Sequence, residues 1–418
     1  MKNDCLNSLP TRLTVSFPLW LIYGTKGGFS PYYDIDRAVR EHAERGFNCM
    51  RIDGGAGLIH DQNGEPREPF VMTDIFGEYE RIPRQQHMIG NGGVADLLQR
   101  LIKTLECCKK YGVYVILSQW YYLHTYWFHK QGDPVADEIF AIPVHERFMA
   151  FAKFWHYILL EIEKRGLDDR IAFIEIFNEV NDHPYRCGIE WDHAAKKSIS
   201  AEEKALFKKE HTEAIAWLKE RHPNVMVGYD TGFWGDDDDC MPSGIDVYNF
   251  HSYYLWSLYG DTMREHPEWF NGRITPADVA ATREGRRPAQ SDWYERVALY
   301  NDMKSSVMLD VEKALEEKLI AEREKYIEKM KNTVNGAISN KAGAPTVCGE
   351  GVSYICSKYL LWEEKSDTYW SVVREMLQTY KSLGVWGSVI RTCMGPEDPC
   401  WDLCKDRIRE LNLLFLSD

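Results

Sequence analysis

The sequence has 418 residues, with 50 lysines and arginines against 64 aspartates and glutamates, which gives a formal net charge of −14. Hydrophobic residues make up 44% of the chain and charged residues 27%, which excludes a disordered chain and a membrane-embedded one. The acidic balance argues against phosphate-binding surfaces, so we expect no nucleic-acid partner and no membrane partner. Aromatic residues are abundant, with 14 Trp, 23 Tyr and 17 Phe.

The apolar segment near the N-terminus, Leu13–Tyr23, is too short to span a membrane and lacks a small-residue cleavage site. We therefore interpret it as containing the first strand of the fold. The chain has 11 cysteines, too few for a disulfide scaffold, and several fall inside predicted helices or strands, such as Cys107 and Cys49. Free thiols in a reducing compartment explain them better than disulfides, which predicts a cytoplasmic protein.

Short apolar runs rich in β-formers alternate with longer amphipathic segments along the chain. The predicted strands are Trp20–Tyr23, Phe47–Asp53, Tyr114–Trp120, Ala172–Phe177, Val225–Asp230, Val247–Tyr253, Thr346–Gly349 and Val385–Arg391. The predicted helices are Asp34–Arg45, Val94–Tyr111, His145–Arg165, Ala201–Arg221, Ser291–Asn335, Asp367–Leu383 and Trp401–Leu414. This alternation predicts an α/β fold with a parallel sheet, and the number of units predicts a (β/α)8 TIM barrel.

The chain is longer than the roughly 250 residues that such a barrel needs. The surplus falls in Gly54–Gly93, Asn181–Ser200 and Tyr254–Gln290, each of which follows the C-terminal end of a predicted strand. Barrels build their active sites at that face, so we expect long insertions that wall a cleft. The sequence contains no internal repeat or linker, which predicts a single domain over residues 1–418.

Polar side chains interrupt the apolar fourth strand in the segment Ile171–Val180. Glu175 and Glu179 share one parity of a strand, which would direct two carboxylates towards one face. Asn178 is adjacent to Glu179, so a bulge or the strand end must turn both into the same pocket. The alternative is that Asn178 and Glu179 only cap the following turn.

A second carboxylate, Glu350, ends the seventh predicted strand between Gly349 and Gly351. The glycines would let a ligand approach the backbone, although a solvent-facing glutamate in a glycine turn is also common. Because Glu179 ends the fourth strand, a closed barrel would project both carboxylates from the same rim. Two carboxylates across a cleft are the arrangement that hydrolyses a glycosidic bond.

With these residues the chain resembles the cellulase-like glycoside hydrolases of clan A, the retaining (β/α)8 enzymes that include family 5. The resemblance implies that Glu179 is the acid/base, with a raised pKa, and that Glu350 is the nucleophile. Arg51, in CMRID, looks like the active-site arginine of that family, and His251 and Tyr253, in NFHSYY, look like its His-x-Tyr pair. The resemblance implies retaining hydrolysis of a neutral carbohydrate without a cofactor or metal, with Asn178 bound to the sugar 2-hydroxyl.

The sequence departs from the family 5 pattern at two strands. The third strand ends in Gln119–Trp120 where a histidine is usual, with His124 further on. The eighth ends in Arg391–Thr392 where a sugar-stacking tryptophan is usual, and Trp401 could replace it from the following loop. The predicted substrate-binding residues are therefore Arg51, Trp120, His124, Asn178, His251, Tyr253 and Trp401.

Two other functions stay open on the sequence. The departures at Gln119 and Arg391 would suit a non-catalytic carbohydrate-binding protein on the same barrel. A metal-dependent hydrolase could use His124 and His129, although their five-residue spacing is not a usual ligand pair. The sequence leaves the sugar, the linkage, exo or endo action and the oligomeric state undefined.

Overall fold

Eight parallel strands form a closed barrel in the computed structural model. It describes residues 6, 8–24, 30, 32–71, 94–120, 138, 141–180, 200–231, 240–273, 302–340, 343–352, 360–392, 394–396 and 398–417. The barrel strands are β1 (Leu13–Ser16), β2 (Cys49–Asp53), β3 (Tyr114–Ser118), β4 (Ile171–Glu175), β5 (Val227–Thr231), β6 (Val247–Ser252), β7 (Thr346–Gly351) and β8 (Gly387–Val389). They are arranged in sequence order around the barrel, and β1 closes it by pairing with both β2 and β8. The predicted (β/α)8 barrel is confirmed.

Helices surround this barrel in the described residues. They are α1 (Ile35–Glu44), α2 (Leu97–Tyr111), α3 (Arg147–Glu163), α4 (Ala201–Arg221), α5 (Trp256–Glu265), α6 (Met308–Asn340), α7 (Trp362–Lys365), α8 (Asp367–Ser382), α9 (Pro399–Leu403) and α10 (Lys405–Leu416). A two-stranded antiparallel pair joins Phe70–Val71 to Val94–Ala95. None of the helices in the described part of the chain is long and apolar enough to cross a membrane.

Helix α2 shows how the local sequence sets the bounds of a helix. The side chain of Asp96 caps its first turn by accepting from the backbone N–H of Gln99. Leu101, Leu105 and Cys108 follow at three- and four-residue spacing and are buried against the barrel. The helix ends at Gly112, whose φ of 71° is a left-handed conformation that glycine adopts without strain.

The predicted first strand, Trp20–Tyr23, is wrong. Leu21–Tyr23 is a 3-10 turn, and the strand lies upstream at Leu13–Ser16. Pro18 has no N–H to donate to a neighbouring strand, so the ladder ends before it. The apolar character of the segment reflects burial, because Trp20 and Tyr23 are almost completely enclosed.

The last predicted helix, Trp401–Leu414, is two helices in the structure, Pro399–Leu403 and Lys405–Leu416. The predicted bounds of α4 are confirmed, and those of α1, α3 and α8 are within two residues. Helix α6 begins at Met308 and extends to Asn340, five residues beyond the predicted end.

Candidate active site

The guanidinium of Arg51, in β2, lies at the centre of a buried polar cluster inside the barrel. Its Nη1 donates to Oε1 of Glu350 at 2.5 Å, and its Nη2 donates to Asp230 Oδ2 at 2.5 Å and to Asn178 Oδ1 at 2.7 Å. Its Nε and Nη2 also donate to Oε2 of Glu175, at 3.1 and 2.8 Å. One fully buried cation therefore holds three carboxylates from β4, β5 and β7.

Glu350 in β7 is held on both carboxylate oxygens. Arg51 occupies Oε1, and the hydroxyl of Tyr253 donates to Oε2. Two charge-assisted hydrogen bonds from different directions fix the orientation of the carboxylate. Glu350 is 6% exposed, so the group is shielded but not sealed from the cleft.

The flanking glycines of Glu350 make room for the neighbouring strand. A Cβ on Gly349 would lie 2.4 Å from the side chain of Asn249, whose Oδ1 accepts from the Gly349 N–H at 2.7 Å. A Cβ on Gly351 would lie 2.7 Å from the carbonyl oxygen of Ser252. Both glycines therefore allow β7 to lie close against β6, a reason that differs from the predicted approach of a ligand.

Glu179 reaches the same site by an irregular backbone. Regular pairing of β4 stops at Glu175, and Glu179 has a φ of 49°, a left-handed conformation that is uncommon outside glycine. In a regular strand Phe177 would face the same side as Glu175 and Glu179, but it stacks on Phe151 of α3 and so faces the helices. The turn after the strand, and not strand parity, directs Glu179 towards Glu350.

The two predicted catalytic carboxylates are neighbours. One carboxylate oxygen of Glu179, one of Glu350 and a ring nitrogen of His251 all lie within 4.8 Å of one another. Nδ1 of His251 is 2.8 Å from Oε1 of Glu179, and the side chain of Glu179 is 18% exposed. Glu179 is thus the more accessible carboxylate of the pair.

This trio is also the kind of group that could hold a metal ion. A cation there would lie next to the guanidinium of Arg51, which already donates to Glu350. Because that arginine neutralises the carboxylate directly, the arrangement suits acid–base and nucleophilic chemistry better than metal binding.

The charges in the cluster act on its pKa values in opposite directions. Burial raises the pKa of Glu350, the charges of Glu179 and Asp230 raise it further, and His251 and Arg51 oppose them. Burial also raises the pKa of Glu175, which Arg51 opposes. Burial, followed by the charge of Glu350, raises the pKa of Tyr253, so its hydroxyl keeps the proton that it donates.

Three polar residues of the cluster escaped the predicted site. Asp230 ends β5 and contacts Arg51 and His251, and Glu175 is fixed from its other side by Asn249, whose Nδ2 donates to Oε1 at 2.6 Å. The sequence did carry a sign of them, because Asn249 shares strand parity with His251. Asp230 is likewise a carboxylate at the end of an apolar strand, as Glu350 is.

The two residues that follow β3, Gln119 and Trp120, pack against the site and the adjacent loop. Trp120 is 2% exposed and lies with its ring under the guanidinium of Arg51, 4.6 Å from Cζ to ring centroid. Gln119, where the resemblance to family 5 implies a histidine, exchanges two hydrogen bonds of 2.7 Å with the backbone of Ala56. Gln119 therefore anchors the loop after β2. The predicted site residue His124 lies outside the described residues.

The expectation that Trp401 lines the cleft needs correction. Trp401 is 1% exposed, and its ring is parallel to that of Phe47 at 6.3 Å and covered by the guanidinium of Arg45 at 4.0 Å. Its indole N–H donates to Glu41 of α1. The short helix α9 therefore packs Trp401 against α1, on the outer side of the barrel. Arg391 is also committed elsewhere, to ion pairs with Glu363 and Asp398.

Comparison with known proteins agrees with the barrel fold. The family model described as sugar-binding cellulase-like matches residues 19–394. A crystal structure from Parabacteroides distasonis, provisionally assigned as a glycoside hydrolase, matches with a TM-score of 0.64 and 18% identity over 97% of this chain and 94% of that one. A family 5 glycoside hydrolase from Prevotella bryantii, solved with a xyloglucan tetradecasaccharide, has a TM-score of 0.50 and 12% identity over 98% of both chains.

An endo-β-1,4-mannanase from Thermotoga petrophila also matches, with a TM-score of 0.50 and 13% identity over 99% of this chain and 78% of that one. At these identities the structural matches establish the fold alone. None of the curated proteins compared with the sequence matches it.

Proposed function

Since the chain belongs to the sugar-binding cellulase-like family, we propose that it is a retaining β-glycoside hydrolase. The observation that carries the proposal is the approach of Glu179 and Glu350, whose nearest carboxylate oxygens lie within 4.8 Å. Retaining enzymes place their two carboxyl groups about 5 Å apart, whereas inverting enzymes leave about 6.5–9.5 Å for a water molecule. The substrate class is a neutral oligosaccharide or glycoside.

In the first step Glu350 attacks the anomeric carbon, and Glu179 gives a proton to the departing glycosidic oxygen. The nucleophile must be ionised, which Arg51 and the hydroxyl of Tyr253 favour by binding both of its oxygens. The C–O bond to the leaving group breaks as the bond to Glu350 forms, which leaves a glycosyl-enzyme ester.

In the second step Glu179, now a carboxylate, takes a proton from water as the water attacks the anomeric carbon. The ester to Glu350 breaks and the sugar leaves with its original configuration. Asn178, whose Oδ1 accepts from Arg51, is the residue that we place against the 2-hydroxyl of the sugar.

We further propose a single catalytic domain and a cytoplasmic location. The barrel that closes between Leu13 and Val389 supports one catalytic domain over residues 1–418. A cytoplasmic location rests on the free, buried thiols of cysteines such as Cys49, Cys108 and Cys348.

A panel of aryl β-glycosides and oligosaccharides tests the proposal, with product configuration followed by NMR. We expect hydrolysis with retention, and covalent labelling of Glu350 by a 2-deoxy-2-fluoro glycoside of the sugar that is turned over. Glu350→Gln should abolish turnover and leave the fold intact. Glu317→Gln, which changes an exposed glutamate of α6, is the matched control and should leave the rate unchanged.

Inverted product, or full activity in Glu350→Gln, would refute the mechanism. A wild-type protein that binds oligosaccharides but neither hydrolyses them nor becomes labelled would instead be a carbohydrate-binding protein on an enzyme-like barrel. Activity that is lost on treatment with a chelator would favour metal-dependent hydrolysis.

A further inference from the structure

Asp230, at the C-terminal end of β5, touches both cations that hold the two candidate catalytic carboxylates. Its Oδ2 lies 2.5 Å from Nη2 of Arg51, and its Oδ1 lies 3.1 Å from Nε2 of His251. Arg51 in turn binds Glu350, and His251 contacts Glu179. Asp230 is 1% exposed, so both contacts are shielded from water. Asp230 therefore connects the two halves of the site, and Glu350 also does so through Arg51 and a longer contact of 3.5 Å with His251.

The ring of His251 faces carboxylate oxygens at both of its nitrogens. Nδ1 is 2.8 Å from Glu179 Oε1, and Nε2 is 3.1 Å from Asp230 Oδ1 and 3.5 Å from Glu350 Oε1. A neutral imidazole has one N–H and one lone pair, so it satisfies only one of these two sides when the carboxylates are ionised. The imidazolium form carries an N–H on both nitrogens, so Nδ1 can donate to Glu179 while Nε2 forms an ion pair with Asp230 and Glu350.

The charges around His251 favour the imidazolium. Burial alone would lower the pKa of His251, but the negative charges of Asp230 and then Glu350 raise it well above 6.5. The other charged or titratable groups nearby are Glu179, Arg51 on the far side of Asp230, and Tyr253, whose ring is edge-on at 6.2 Å. Asp230 stands between the two cations and so offsets their mutual repulsion.

We propose that Asp230 is a positioning residue that keeps His251 doubly protonated, so that His251 holds Oε1 of Glu179 throughout the reaction and leaves Oε2 to work on the substrate. This inference rests on the proposed function. In the first step the proton on Oε2 passes to the glycosidic oxygen, and the imidazolium stabilises the carboxylate that results. In the second step Oε2 takes one proton from water. His251 keeps both of its protons in each step.

Asp230 could act through His251 on the acid/base Glu179, or through Arg51 on the nucleophile Glu350. Substrates with different leaving groups distinguish these two routes. A substrate with a poor leaving group needs protonation by Glu179, whereas a 2,4-dinitrophenyl glycoside departs without it. If Asp230 acts through His251, removing its charge therefore lowers kcat/KM only for the substrate with the poor leaving group. Loss of the Arg51 route weakens attack by Glu350 and affects both substrates alike.

Asp230→Asn removes the charge and nearly preserves the shape. We expect its kcat/KM to fall about 100-fold on an alkyl or phenyl β-glycoside and less than about threefold on the dinitrophenyl glycoside of the same sugar. Glu175→Gln is the matched comparison, because Glu175 contacts Arg51 and not His251 in the described structure, and it should lower both values equally. Equal losses in Asp230→Asn would overturn the inference.

A double variant tests the connection to His251. If Asp230 acts through that ring, adding Asp230→Asn to His251→Gln causes no further loss of kcat/KM on the poor leaving group. Independent, additive losses would contradict the proposed route.

The protonation of His251 can be read without any turnover, from the ring ¹⁵N shifts of protein labelled in histidine. The His251 resonances are identified by their disappearance in His251→Gln. We expect both nitrogens to stay protonated from about pH 6 to about pH 8 in the wild type and to lose a proton within that range in Asp230→Asn. A neutral His251 in wild-type protein at pH 6 would overturn the inference even if Asp230→Asn does not fold.

These outcomes separate the inference from the proposed function. A wild-type protein without glycosidase activity overturns the proposed function, whereas a neutral His251 in an active enzyme overturns only the role given to Asp230.

Discussion

Nη1 of Arg51 lies 2.5 Å from Oε1 of Glu350, although the two residues are 299 positions apart in the chain. The contact crosses the inside of the barrel from β2 to β7, and neither side chain is exposed by more than 8%. Because the guanidinium also binds Glu175 and Asp230, the charge balance of the whole cluster depends on this arginine.

Arg51→Ala should therefore destabilise the fold strongly. It leaves three buried carboxylates without their cation, which costs about 3–5 kcal/mol when one partner of a buried ion pair is removed. Urea unfolding followed by circular dichroism measures the loss. Arg37→Ala is the control, since Arg37 pairs with Glu41 on the exposed face of α1, and it should cost about 0.5 kcal/mol or less. Similar effects of the two variants would contradict the central role of Arg51.

On the acid side, the activity should be lost at a higher pH than the pKa of an ordinary glutamate would give. Burial raises the pKa of Glu350 above 4.5, and the nucleophile is inactive when protonated, so kcat/KM should decline as pH falls through a value above 4.5. The pH profile of kcat/KM between about pH 4 and about pH 9 measures this limb. An acid limb at or below 4.5 would contradict the effect of burial.

Acid should also destabilise the fold through His211 of α4. The ring is 2% exposed, stacks on Phe148 at 4.3 Å and has no hydrogen-bond partner among the described residues. Burial lowers its pKa from 6.5 to about 3, so the unfolded chain binds a proton between these values and the folded chain does not. The stability that this neutral ring contributes is present above 6.5 and decreases as pH falls towards 3.

His211→Phe removes that titration. Between pH 7.5 and pH 5 the free energy of unfolding of the wild type should fall by about 2 kcal/mol because of this group. The free energy of unfolding of His211→Phe should fall by about 2 kcal/mol less over the same pH range. Unfolding free energies at both pH values give the comparison. A variant with the same pH dependence as the wild type would show that His211 is not the titrating group.

Trp401 should matter for stability and not for substrate binding. Its ring fills the space between Phe47 and Arg45, so Trp401→Ala should cost about 3–5 kcal/mol, as for other buried tryptophans. The milder Trp401→Phe keeps part of the packing and allows kinetics, and its KM should equal that of the wild type. A raised KM in Trp401→Phe would support a role for Trp401 in substrate binding.

The sequence alone determined the barrel architecture and singled out the two candidate catalytic carboxylates. Short apolar runs rich in β-formers are local patterns, and they predicted seven of the eight barrel strands within two residues at both ends. The same local pattern predicted Glu179 and Glu350 at strand ends. Glu350 does lie near the end of β7, Thr346–Gly351, whereas Glu179 lies in the turn after β4, which ends at Glu175. The first strand was misplaced because burial makes Trp20–Tyr23 look like a strand, although the backbone N–H groups of Leu21 and Tyr23 donate locally within a 3-10 turn.

Only the tertiary structure decided which side chains meet. Asp230 bridges Arg51 and His251 because barrel closure and strand register bring β2, β5 and β6 together, and no local pattern contains that information. The left-handed turn at Glu179 is likewise held by its surroundings, since the isolated segment would avoid it. Trp401 shows the reverse case: the sequence placed it near the rim, and packing against α1 took it to the outside of the barrel.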